Sequence, residues 1–274
     1  MLNISLSIQL QGETNISMKD FLIEVSKGNV PGHSIIHKFG HNDTVGTTFE
    51  PITATGEYNT PQPASATTLR IKAGGDANDT AAGSGAREIT LVGLDETGAE
   101  VTEAVATAGA SASSATTTTF IRMYRAYVSA SGTYATSTAA SHAASITIEN
   151  GAGGTDWASI ELNGFGKSQT EIGAYTIPVG YTGYLLGAFG FVDSSKVTDL
   201  LFFKREGITT EAAPYDAMRM VFEERATDSS FAVGIKAPIK LGTGCDCGFM
   251  AKVDVGTANV EVDFELLLID NNYI

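Results

Sequence analysis

Eight short apolar runs follow one another across residues 172–270, separated by Gly, Pro, Asp and Ser. They are "IGAYTI" (172–177), "GYLLGAFGFV" (183–192), "VTDLLFFKRE" (197–206), "AMRMVFEER" (217–225), "FAVGIK" (231–236), "IKL" (239–241), "GFMAKVDV" (248–255) and "NVEVDFELLLID" (259–270). The last sets Val260, Val262, Phe264 and Leu266 against Glu261, Asp263 and Glu265. Alternation of period two puts one face of a strand in the core and the other in water. Gly180, residues 192–195, Pro238 and residues 256–259 punctuate the series as turns. Short strands recurring at this spacing predict an eight-stranded, jelly-roll-like sandwich over 163–274. Its expected core holds Phe189, Phe191, Leu201, Phe203, Phe222, Phe264 and Leu266.

Upstream, "TLRIK" (68–72), "REITLVGL" (87–94), "AEVTEAVATA" (99–108), "TTFIRMYRAYV" (118–128), "SITIE" (145–149) and "WASIEL" (157–162) also read as strands. The tetrad "DETG" (95–98) joins the second and third of these as a hairpin. Residues 69–162 therefore predict a β-sandwich domain, with low-complexity loops over 108–119 and 129–145. Residues 1–68 read as an N-terminal arm and lead-in. Residues 18–28 fit a short helix or a strand, and "TPQPAS" (60–65) fits a linker. The first 17 residues alternate Leu2, Ile4, Leu6, Ile8 and Leu10 with polar residues. Such a segment has an apolar face and no partner of its own, which predicts pairing with a sheet edge on a neighbour. No long helical period occurs, so the fold class is all-β.

Charged residues make up only 18% of the 274, against the roughly 25% usual in soluble domains. Gly, Ala, Ser and Thr take their place, giving a neutral, hydroxyl-rich surface suited to packing against other protein. Seventeen basic residues face thirty-one acidic ones, for a net charge of −14. That balance argues against direct nucleic-acid binding, despite Arg122, Tyr124, Arg125 and Tyr127 in one run. The N-terminus lacks the pattern of a secretory signal, and no apolar run reaches the length of a membrane helix. A membrane partner is not expected. Two cysteines make no disulfide framework.

The stretch "GGDANDTAAGSGAREITLVGLDETG" (74–98) invites three chemical readings. No Lys follows its glycines, as a phosphate-binding loop requires. A strand follows where a dinucleotide fingerprint needs a helix. Counted from Asp76, the sixth and twelfth positions are Ala81 and Arg87, not the Gly and Glu of a calcium loop. Asp76, Asn78 and Asp79 remain candidates for an irregular cation loop, set against a plain turn between strands. His33, His37 and His41 share one face of a strand, yet four residues of strand span about 13 Å, too far for one metal. Cys245 and Cys247 lack a second ligand pair and read as small buried thiols. Ser84 lies in no nucleophile elbow, and His142 has no recognisable acid partner. No catalytic, metal or cofactor residue is assigned.

Three stretches together, "ANDTAAGSGAREITLVGLDETGAEVTEAV" (77–105), "TTTFIRMYRAYV" (117–128) and "AYTIPVGYTGYLL" (174–186), resemble a family of tailed-bacteriophage virion proteins frequent in marine and aquatic phages. The resemblance runs from about Met18 to the C-terminus. It implies a copy-rich structural component of the particle and not an enzyme. Within that class the expected role is a capsid decoration, or cement, protein on the capsid exterior, partnered by itself as a homotrimer and by the major capsid protein or other virion proteins. Decoration on local threefold axes is what makes a trimer the expected oligomer. The alternatives are a neck or tail component, such as a collar or fibre-attachment protein, and a carbohydrate-binding adhesin using Trp157, Tyr175, Tyr181 or Tyr184 to stack on a sugar.

Overall fold

The computed structural model describes residues 20–54, 65–162, 167–193, 196–210 and 212–274. The arm expected over residues 1–17 and most of the Pro-rich linker lie outside these. A six-residue helix, α1 (Phe21–Ser26), opens the described chain. Asp20 caps it, its carboxylate accepting from the amides of Leu22 and Ile23 at 3.0 and 3.2 Å.

Two strands follow where a lead-in was expected, β1 (His33–Val45) and β2 (Glu50–Pro51). Six more form one lobe: β3 (Leu69–Ile71), β4 (Ala86–Leu94), β5 (Glu100–Ala106), β6 (Arg122–Ser131), β7 (Ile146–Asn150) and β8 (Asp156–Ile160). The remainder are β9 (Ala174–Thr176), β10 (Tyr181–Val192), β11 (Thr198–Arg205), β12 (Arg219–Thr227), β13 (Ser230–Leu241), β14 (Asp246–Val253) and β15 (Ala258–Asp270).

The larger lobe is an eight-stranded jelly roll. One sheet has the order β1-β15-β10-β13, and the other β12-β11-β14-β2, with β9 also on β14. Taking β2 and β9 as one strand, the first pairs with the eighth, the second with the seventh, the third with the sixth and the fourth with the fifth. The chain is thus a long antiparallel hairpin folded back on itself, which is how a jelly roll closes two sheets over one core. The eight runs of the sequence supply only seven of its strands, because "FAVGIK" and "IKL" are one. Strand β13 carries them both and bulges between Gly234 and Ile239, opposite Leu186. Pro238 sits inside that bulge on an edge strand, where its missing N–H costs no ladder bond. The remaining place is taken by β1, paired along its length with β15 from His33↔Ile269 to Val45↔Ala258.

The second strand of the roll is cut in two. Glu50 and Pro51 pair with Ala251 and Met250, and Ala174–Thr176 pair with Gly248–Asp246, so the halves lie end to end along β14. Between them the Ile52 amide donates to the Phe249 carbonyl, and the Phe249 amide donates to the Gly173 carbonyl at 2.9 Å. The described residues between the halves form the smaller lobe, and Thr53 pairs with Ile172 where the chain leaves and returns. Gly40 and Gly248 flank this junction because backbone passes too close for a side chain. A Cβ on Gly40 would stand 2.5 Å from the Gly173 Cα, and one on Gly248 would stand 2.7 Å from the Ala174 Cα.

The inserted lobe is a sandwich of two three-stranded sheets, β3-β7-β8 and β5-β4-β6, sharing a core of Leu69, Ile89, Leu91, Met123, Ile148 and Trp157 among others. Its β4–β5 hairpin turns as the sequence predicts. Asp95 accepts from the Thr97 and Ala99 amides at 2.8 and 3.1 Å, and Gly98 adopts φ +79°.

In the jelly roll, Phe202 stacks on Phe222 at 5.4 Å and meets Phe249 and Phe264 edge-on at 5.1 and 5.3 Å. Phe264 and Leu266 are buried there as expected. Phe203 is buried outside both core clusters, and Leu201 is half-buried. Phe189 and Phe191 are 48% and 44% exposed and belong to the outer face; Ala188 and Val192 of the same strand face the core. The run "LLGAFGFV" is apolar at every position, so its pattern carries no phase. Phe189→Ser is accordingly expected to change the unfolding free energy by at most about 0.5 kcal/mol, where a core Phe truncation costs about 3–5. Urea titration of the variant measures this; a loss in the core range places Phe189 inside.

Candidate functional site

The loop that raised the cation question is held by Asp79, which is 4% exposed. Its Oδ1 accepts from the Ala86 and Ala143 amides at 2.7 and 2.9 Å, and its Oδ2 from the Ala144 amide at 3.1 Å. One carboxylate thereby ties the start of β4 to the low-complexity loop before β7. Asp76 turns on itself, accepting from the Asn78 amide at 2.8 Å. Among the described residues no group of three His, Cys, Asp or Glu side chains stands close enough to share a metal.

The three histidines of β1 take separate partners. His33 Nδ1 lies 2.8 Å from the Pro31 carbonyl. His37 is 3.6 Å from the Asp263 carboxylate. His41 lies 3.4 Å from the Glu171 carboxylate and 3.1 Å from the Asn259 side-chain oxygen. The hydrogen bond with Glu171 raises the His41 pKa against the opposing pull of burial. Burial pushes the Glu171 carboxyl up, but hydrogen bonds from His41 and Lys167 outweigh it and leave the carboxyl below its ordinary value. Lys167 completes the cluster with a 2.7 Å bond to Glu171.

Cys245 and Cys247 are free and buried. Burial pushes the Cys245 thiol up to about 12 and the Cys247 thiol well above the ordinary range, so both are neutral thiols without nucleophilic character. Ser84 offers its carbonyl to Thr133, and His142 is buried with Nδ1 2.9 Å from the Ala144 carbonyl. Trp157 belongs to the core of the inserted lobe and Tyr175 to that of the jelly roll, at 4% and 2% exposure, so neither offers a face to a sugar.

The run Arg122–Tyr127 has a different use. It is the part of β6 that meets the jelly roll. Arg122 is 1% exposed and forks onto Asp246 of β14, with Nε 3.0 Å from Oδ1 and Nη2 2.7 Å from Oδ2. Thr176 of β9 donates to the same carboxylate at 2.5 Å. Leu94, Ile121 and Tyr124 of the inserted lobe join the jelly-roll core. The Tyr124 ring packs on that of Tyr175 at 4.6 Å, and its hydroxyl donates to Glu100.

Beside this contact lies a cavity of about 450 Å³ lined by residues of β1, β4, β5, β6 and β9 and by Gln169 and Thr170. Lys38 reaches into the junction and donates to the Tyr124 carbonyl at 2.6 Å. Burial lowers its pKa to about 7, helped by the positive charge of Arg125. Arg125 lies at the exposed side, its guanidinium 4.9 Å from the Tyr127 ring centroid and 3.2 Å from the Gln169 side-chain oxygen. Sequence reasoning missed Lys38. A single Lys inside "HSIIHKFGH" reads as a solvated strand residue, and only the lobe packed over it makes it buried.

No family model matches the chain, and no curated protein matches its sequence. Among solved structures, that of the infectious bursal disease virus Gx strain aligns at 11% identity with a TM-score of 0.26, covering 92% of this chain and 79% of that one. The infectious bursal disease virus VP2 subviral particle aligns at 10% identity with a TM-score of 0.23, covering 92% and 78%. At such scores the likeness carries no structural argument, and the assignment of a jelly roll rests on strand pairing alone.

Proposed function

We propose that this chain is a structural component of a virus particle, of the tailed-phage kind its sequence resembles, and that it decorates and cements the capsid exterior as a homotrimer bridging coat-protein subunits. The observation that carries this reading is where its buried polar groups are used. Asp79 staples two loops, the Arg122–Asp246 fork ties one lobe to the other, and Glu149 holds Arg70 across β3 and β7 at 2.8 Å. Such chemistry serves rigidity, which a cement protein needs when it opposes pressure from packaged nucleic acid. A jelly roll with a second sandwich set into one strand presents two rigid, hydroxyl-rich bodies with which to span neighbouring subunits. The acidic balance of −14 keeps those bodies from competing for nucleic acid.

Copy number tests the reading. On a gel of purified particles the protein is expected in hundreds of copies, scaling with the coat protein. A count of roughly six or twelve, as ring symmetry demands, would instead make it a neck or tail part. Light scattering of the purified protein is expected to give the mass of a trimer, and binding on a glycan array would favour the adhesin.

A further inference from the structure

We propose that the cavity between the two lobes binds a small organic anion, its acid group held between Lys38 and Arg125 and its apolar body lying against Ile36 and Val92. The volume of about 450 Å³ suits a small ligand, and a boundary between two packed bodies is where such cavities form. Two buried polar groups in its wall are under-used. Among the described residues Lys38, 8% exposed, makes one hydrogen bond, to a neutral carbonyl, and stands 5.7 Å from the Tyr124 ring centroid, although an ammonium has three donors. Among the described residues the Tyr175 hydroxyl, in a residue 2% exposed, has no partner in hydrogen-bond geometry, although Tyr124 lies near enough to couple to it.

Charge points to the sign of the ligand. A buried cation is costly unless a negative group faces it. Among the described lining residues two cations, Lys38 and Arg125, face one carboxylate, Glu100, whose oxygen accepts from the Tyr124 hydroxyl, so the wall keeps an excess of positive charge. The positive charge of Arg125 disfavours the Lys38 ammonium, and an anion between the two offsets that repulsion with two attractions. The aliphatic and aromatic lining favours a carboxylate on an apolar body over a bare inorganic ion. Because Lys38 belongs to β1 and Arg125 to β6, the bound anion also bridges the lobes and stabilises their junction.

Benzoate is the probe, with benzamide as its neutral counterpart and inorganic phosphate as the bare anion. Saturable binding of benzoate, followed by calorimetry and by a rise in melting temperature, is expected. Benzamide and phosphate should bind at least about tenfold more weakly. Lys38→Met should abolish the benzoate response while keeping a cooperative melt, and Arg125→Gln, at an exposed position, should weaken it. Lys240→Gln should leave it unchanged. Absence of saturable benzoate binding, equal binding by Lys38→Met, or phosphate binding as tight as benzoate would each overturn the proposal.

Discussion

Replacing Lys38 by Met is expected to stabilise the protein by about 2–4 kcal/mol at pH 6, and by progressively less as the pH rises toward 10. Burial, with Arg125 nearby, brings the folded-state pKa of this amine from 10.5 to about 7. Below pH 7 the amine is charged in both the folded and the unfolded chain, and the folded chain carries the whole cost of an enclosed cation. Between pH 7 and 10.5 the folded amine is neutral while the unfolded one still holds its proton. The unfolded state then binds more protons, so stability rises with pH and the cost fades. Met fills the same volume without a charge, so the variant lacks both the cost and its pH dependence. His41 works in the opposite sense. Its raised pKa gives stability that is complete below its ordinary value of 6.5 and lost as pH rises through the folded value. Comparing variant and parent at each pH cancels that contribution, since His41 is present in both. Guanidinium titrations at pH 6, 8 and 9.5 measure the difference. A gain that does not shrink with pH, or a loss at pH 6, would show that Lys38 is not held as a buried amine.

What the sequence made legible follows from where each signal originates. The β15 alternation and the Asp95–Gly98 turn are local, written in consecutive residues, and both are found where the pattern puts them. All-β class follows from the same kind of signal. The membership of β1 in the jelly roll is not local. Its pairing with β15 joins residues more than 200 apart, and no property of "HSIIHKFGH" names that partner. The split second strand is harder still. Glu50–Pro51 and Ala174–Thr176 are too short to carry a period, and each is a strand only because β14 lies beside both. Boundaries at residues 68 and 163 follow composition, whereas the lobes divide near Thr53 and Ile172, where the chain crosses between two cores. The junction cavity inherits this difficulty. Lys38, Arg125 and Tyr175 come from three distant stretches, and their chemistry arises only when the inserted lobe closes over β1.

A buried ion pair spans that closure, and Arg122→Met is expected to cost about 3–5 kcal/mol of stability. The guanidinium and the Asp246 carboxylate are 1% and 2% exposed, and the fork between them joins β6 of one lobe to β14 of the other. Arg122 also donates to the Ile121 carbonyl at 2.7 Å, so it fixes its own strand as well as its partner. Removing the guanidinium takes the fork away from an enclosed carboxylate that keeps its bond from Thr176, and most of the loss is the cost of that weakened pairing at a buried charge. Asp246→Leu should cost a similar amount by stranding the cation instead. The double variant Arg122→Met/Asp246→Leu removes both charges and fills their space with apolar atoms, so its loss should fall to about 1 kcal/mol, far below the sum of the singles. Guanidinium unfolding of the four proteins completes the cycle. Additive losses would mean that the two side chains act separately, and single losses under about 1 kcal/mol would mean that water reaches the pair. A double variant that recovers stability also shows that apolar packing at Leu94, Ile121 and Tyr124 is enough to hold the lobes together, leaving the ion pair to set the register in which they meet.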